Sequence, residues 1–243
     1  MGTSSARRAP TSRLWRRAKA AAGRYLAPEG GAGLEAREVV ARYLAALGEG
    51  GAPGNQGLAA QFRLTRKAAQ NLGAFLSEAA SRGWDPAWGA ATGAGEAAPF
   101  REPAPPVLAG ALLEADGGLE AAVARSSLTA VLQGLEENPS PARAVAGFLA
   151  EALYQRLVLD LGESLEAAGR SYGQWRQGLT GLRNWMVQTG AEEPDEPRLP
   201  EQWRGLAGWQ WVTLALEKML GRLQESSPKQ ITVVNESPTH QKR

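Results

Sequence analysis

The residue types best suited to acid–base work are two carboxylates, Asp160 and Glu163, in the stretch "RLVLDLGES" (156–164). Their neighbours Leu157, Val158, Leu159 and Leu161 form an apolar surround, which favours the protonated form of a carboxyl and suits it to hold a catalytic proton. No second group stands opposite them in the pattern. A solvated polar edge explains them more simply, with Arg156 and Asp160 at the i,i+4 spacing of a helical ion pair.

Other chemistries fail for want of residues. The chain has no cysteine and one histidine, His240, close to the end of the 243 residues. Ser-His and Cys-His nucleophile pairs, Cys-based zinc sites and the Glu-x-x-His pattern of di-iron bundles are thereby excluded. Neither a metal nor a cofactor is expected, and His240 reads as a solvated tail residue. The Gly-rich "GEGGAPGNQG" (48–57) precedes a helix, where backbone N–H groups hold anions in other proteins. It lacks the Gly-Lys-Ser/Thr ending of a phosphate loop and follows a helix, so it reads as an interhelical connection.

Binding is the remaining chemistry, and two features bear on it. The first is basic: Arg7, Arg8, Arg13, Arg16, Arg17, Lys19 and Arg24 precede the first acid, Glu29. These seven charges exceed the net charge of +2, so the rest of the chain is net acidic and a poor phosphate binder by itself. Leu14, Trp15, Ala18, Ala21, Ala22, Tyr25 and Leu26 form one helical stripe, with the arginines largely off it. Residues 1–28 thus fit a mitochondrial presequence, with "RYLA" (24–27) similar to a matrix-processing site. They fit equally a basic surface tail, and less well an arm against nucleic-acid phosphates with Trp15 and Tyr25 free to stack. Gly2 without Ser or Thr at position 6 argues against a myristoyl anchor. In all of these readings the segment stands free of the body, because docking it threatens to bury guanidinium groups.

The second feature is tryptophan, eight in all. Trp175 and Trp185 share a stripe with Leu179, Leu182 and Met186; Trp203, Trp209 and Trp211 belong to the last strong helical pattern. Packing between two adjacent helices accounts for them. An aromatic groove anchoring a protein partner is the functional alternative, with Trp203, Trp209, Trp211, Trp175 and Trp185 as its residues.

The elements that must position these groups are helices. Periodic stretches over 34–47, 57–82, 107–115, 118–137, 141–168, 171–188 and 201–224 follow the opening one, and a strand-like alternation appears only in "ITVV" of the tail. Ser140 and Pro141 mark a helix start. The fold expected is all-α, an irregular helical bundle of about six to eight helices. Its expected parts are a disordered or presequence-like arm (1–28), a helical hairpin (34–82), a Gly/Ala/Pro-rich loop or linker (83–106), the main bundle (107–224) and a disordered tail (225–243). Within the bundle, 141–168 should be the central helix, apolar almost all round near Leu157–Leu161. No stretch is apolar for the length of a membrane span.

Together these features point to a non-enzymatic helical interaction factor, with an assembly, adaptor or regulatory role, in the mitochondrial matrix or the cytoplasm. A nucleic-acid-associated protein using the basic arm is the first alternative. An enzyme or small-ligand carrier with a site near Asp160 and Glu163 is the second.

Overall fold

Ser140 and Pro141 do start the longest helix. The Ser140 hydroxyl accepts a hydrogen bond from the Arg143 backbone N–H at 3.4 Å, and Pro141 occupies a first-turn position where its missing donor costs nothing. A computed structural model of the chain describes residues 12–26, 35–49, 51–52, 54–93, 105–113, 117–135, 139–169, 171–190, 199–200 and 202–225. These form ten helices: α1 (Arg13–Leu26), α2 (Ala36–Leu47), α3 (Gly54–Ala60), α4 (Arg63–Arg82), α5 (Trp84–Thr92), α6 (Pro105–Leu113), α7 (Leu119–Gln133), α8 (Pro141–Ala168), α9 (Tyr172–Gly190) and α10 (Leu206–Glu225). The chain is all-α, with no strand among the described residues.

Two local breaks raise the number above the expected six to eight. The pattern read as one helix over 57–82 divides at Gln61 and Phe62 into α3 and α4. Residues 84–92, read as loop, instead form α5. Gly83, at φ +91, ends α4, and Trp84 turns back edge-on against Phe75 with ring centroids 5.4 Å apart. Trp88 also packs against the core, whereas Phe100 lies outside the described residues. Residues 94–104, most of the expected loop or linker, lie outside the described residues. One continuous set of buried side chains runs from Trp15 to Leu223, with α4 against α8 and α10 against α2, α3 and α4.

The opening helix is the largest departure. Far from standing free, α1 packs against α2, α8 and α9 and buries Trp15, Ala18, Ala21, Ala22 and Leu26. Trp15 meets Tyr43 edge-on at 5.9 Å, and the Tyr25 hydroxyl donates to the Gly178 carbonyl at 3.1 Å. Leu26 lies over Gly178, where a Cβ would stand 2.0 Å from Leu26 Cδ2 and make that methyl group shift. Docking buries no guanidinium, because Arg13, Arg16, Arg17 and Arg24 all remain exposed on the opposite side. Residues 1–11 and 226–243, including Arg7, Arg8, "ITVV" and His240, lie outside the described residues.

Helix α8 is central, but its most enclosed part is displaced from the expected one. Burial is nearly unbroken from Ala144 to Leu153, where small residues let neighbours approach from several sides. Beyond that only Leu157, Leu161 and Leu165 are buried, a single stripe, and Leu159 is 56% exposed. Gly169 ends the helix in an extended conformation, so the helical run does not continue through it.

Two stability measurements check this arrangement. Leu157→Ala should cost about 2–5 kcal/mol by lost burial and a cavity, whereas Leu159→Ala should stay within about 0.5 kcal/mol of the parent in urea unfolding. Trp15→Ala should cost about 3–5 kcal/mol, an outcome impossible for a segment that stands apart from the fold.

Candidate functional site

The two carboxylates singled out for acid–base work sit in different settings. The Arg156 Nε donates to Asp160 Oδ2 at 2.8 Å, and the Tyr43 hydroxyl donates to the same oxygen at 2.9 Å. Asp160 therefore ties α8 to α2, while Glu163 is exposed. Neither lines the clefts described below, and no group of three or more His, Asp or Glu side chains able to hold a metal occurs among the described residues.

The tryptophans separate into core and surface. Trp203 and Trp211 are buried and pack edge-on with centroids 5.1 Å apart. Trp203 lies in the turn before α10 rather than within it. Its backbone carbonyl accepts from Gln70 Nε2 at 2.6 Å, and the same amide donates to the Gly205 carbonyl at 2.8 Å. The ring lies directly on the α4 backbone at Gly73, where a Cβ would come within 2.2 Å of it. These two rings are core, and as partner anchors they are withdrawn. Trp175 and Trp185 are half-buried against the same core; Tyr172 stacks on Trp175 at 5.7 Å.

Trp209 is half-buried too, beneath the Arg66 guanidinium at 4.3 Å from the ring centroid. Arg66 Nη1 donates to Thr213 Oγ1 at 3.0 Å. Burial pulls the Arg66 pKa below its ordinary value, with Glu120 and Glu217 opposing the shift. Trp209 and the exposed Leu206 line a cleft of about 710 Å³ between α4 and α10, together with Arg63, Lys67, Glu120 and Arg204.

A second cleft, of about 460 Å³, lies between the end of α7, the first turns of α8, and α9. Beside it is the buried carboxylate that the sequence pattern did not single out. Glu151 Oε2 accepts from Arg183 Nε at 2.7 Å, and Oε1 accepts from Gln155 Nε2 at 3.0 Å. The Glu151 side chain is 4% exposed, and a buried charge of this kind is tolerated only when paired and hydrogen-bonded. Burial, with the Glu151 charge adding to it, pushes the neighbouring Tyr154 hydroxyl up in pKa, and Arg183 opposes this. The signal was available in part: Glu151 is the one acid in "AVAGFLAEALY" (144–154).

The third surface is the outer side of α1. Arg13, Arg16, Arg17 and Arg24 are exposed there, no acid occurs in the helix, and none of the four has a side-chain partner among the described residues. Lys19, on the same helix, is half-buried.

The Trp203 contact reverses an ordinary rule and so can be checked. Gly→Ala inside a helix normally stabilises by about 0.5–1 kcal/mol. At Gly73 the ring must move, and Gly73→Ala should instead destabilise by about 1–3 kcal/mol, read as a lower urea midpoint at an unchanged slope.

No family model, no curated protein and no solved structure matches this chain at a significant level, so a functional reading rests on the chemistry of these surfaces.

Proposed function

We propose that this chain is a non-catalytic interaction protein that docks on nucleic-acid backbone through the outer face of α1. One observation carries the reading: four exposed arginines, unpaired among the described residues, gathered on one side of a helix that is itself locked into the core. From Arg13 to Arg24 they span about 16 Å along the helix axis. Arginine presents a planar fork of donors that matches phosphate oxygens and stays charged at any physiological pH. The remainder of the chain is net acidic and so disfavours a polyanion on average, although Arg63, Lys67 and Arg204 gather at the cleft between α4 and α10.

The packing of α1 also weighs against removal of residues 1–26 as a presequence. Cleavage after Leu26 would strip five buried side chains from the core and leave α2, α8 and α9 uncovered. For the same reason the membrane-surface reading loses its apolar half, since Trp15 and Leu26 are already buried.

A protein partner is a second reading with an observation of its own. Leu206 and Leu214 of α10 are 72% and 54% exposed on one side of the helix, with the half-buried Trp209 beside Leu206 in the cleft. Such apolar exposure at helical spacing suits the face of a partner helix.

Fluorescence anisotropy with a labelled DNA duplex of random sequence tests the first reading. Four phosphate contacts predict a slope of log K against log salt near about −3.6, a loss of roughly a hundredfold between 50 and 200 mM. Charge reversal of Arg13, Arg16, Arg17 and Arg24 should abolish binding without altering the melting temperature. Binding that survives the four reversals would overturn the reading, and an undiminished protein complex in that same variant would favour α10.

A further inference from the structure

The cleft between α7, α8 and α9 is built differently from a surface dimple. Its wall on α8 includes Gly147, in the middle of the most enclosed stretch of that helix. Glycine is a poor helix former, so a packing demand would be the ordinary reason to find it there. None exists: a Cβ on Gly147 would meet nothing within 4 Å. The missing side chain leaves room in the cleft instead of admitting a neighbour, the reverse of Gly73 under Trp203.

The polar groups of this cleft are oriented. Arg183 Nε donates to the buried Glu151, which Gln155 holds from its other oxygen. That leaves the two terminal nitrogens of the Arg183 guanidinium without a partner among the described residues. A planar fork fixed at one edge offers parallel N–H donors at the other, the geometry that receives a carboxylate. Arg143 stands on the α8 side of the same cleft, in a first turn with no acid, and its side chain also lacks a partner among the described residues. Among the described residues, two guanidinium groups against one carboxylate leave a single positive charge, which balances a monoanion better than a phosphate dianion. Apart from Ser140, the remaining walls, Val131, Leu135 and Val187 among them, carry no polar side chain.

We propose that this cleft binds a small organic monocarboxylate, with Arg183 receiving the carboxylate and the apolar walls its hydrocarbon body. Glu151 is a positioning residue, acting through the guanidinium it holds. About 460 Å³ is of the size that ligand pockets have, and it suits a linear or single-ring acid of modest length. This site is independent of the docking face on α1.

Saturation-transfer NMR and thermal shift on the full chain test it, with hexanoate and phenylacetate as probes. Methyl hexanoate, hexylamine and inorganic phosphate serve as comparisons. Both carboxylates should bind and raise the melting temperature, while the ester, the amine and phosphate should not. Gly147→Leu should weaken both carboxylates at least tenfold, because it fills the cleft without touching the ion pair, and it should melt no lower than the parent. Arg183→Gln should weaken them comparably; since it leaves Glu151 buried without a cation, Gly147→Leu decides the matter if that variant fails to fold. Equal binding of ester and acid, tighter binding of phosphate, undiminished binding in Gly147→Leu, or no binding of either acid to the parent would each overturn the proposal.

Discussion

The first half of α8 has almost no free side, and the other helices are arranged by that fact. Between Ala144 and Leu153 four of the buried side chains are single methyl groups, those of Ala144, Ala146, Ala150 and Ala152. The distance at which helices pack is set by the side chains between them, so a helix surfaced in alanine is approached closely. Near Ala150, the end of α9 and the middle of α10 come together. A Cβ on Gly190 would stand 3.1 Å from that of Ala150 and 3.2 Å from Met219 Cγ. Enclosure of this kind traps any charge the helix carries, and Glu151 is such a charge. Arg183 answers it from α9, 32 residues away in sequence, and the pair fixes one point of contact between the two helices. Removal of Arg183 leaves the buried Glu151 carboxylate uncompensated, a far larger loss than a surface ion pair incurs.

What was legible in the sequence was local. The Ser140–Pro141 start depends on two adjacent residues and their own backbone, and it appears where their chemistry puts it. The extent of α8 burial depends on its neighbours. Alanine adds little to a hydrophobic pattern, so Leu157–Leu161 looked more apolar than Ala144–Leu153 although it is less enclosed. In α1 the stripe itself was plain, but a stripe says that one face is covered without saying by what. The arginines do not forbid docking, because burial acts on faces of a helix and not on the helix as a whole. The charged groups occupy one side and the methyl groups of Ala18, Ala21 and Ala22 the other.

The tryptophans show the same limit from another direction. Trp203, Trp209 and Trp211 are near neighbours in sequence, yet two are buried and one is half-exposed. The reason Trp203 goes inward is Gly73 on α4, and no local pattern connects positions so far apart. The candidate site suffered similarly. The hydrophobic pattern points to acids where the leucines are densest, at Asp160 and Glu163. The enclosed acid lies among small residues, and its partner sits on another helix.

A docked α1 differs from a free basic arm in what binding costs. A disordered arm must be ordered against its ligand, and the loss of backbone freedom, on the order of 1 kcal/mol per residue, opposes association. In α1 that ordering is already complete, held by Trp15 against Tyr43 and by Leu26 over Gly178. The arginines contribute charge on a ridge whose shape does not change. In the proposed docking, the net negative charge of the remainder disfavours a polyanion at longer range, an effect that fades as salt shortens the Debye length. In that proposed docking, ordered charge on one face favours one orientation on a polyanion and leaves the exposed Leu206 and Leu214 of α10 as a separate surface.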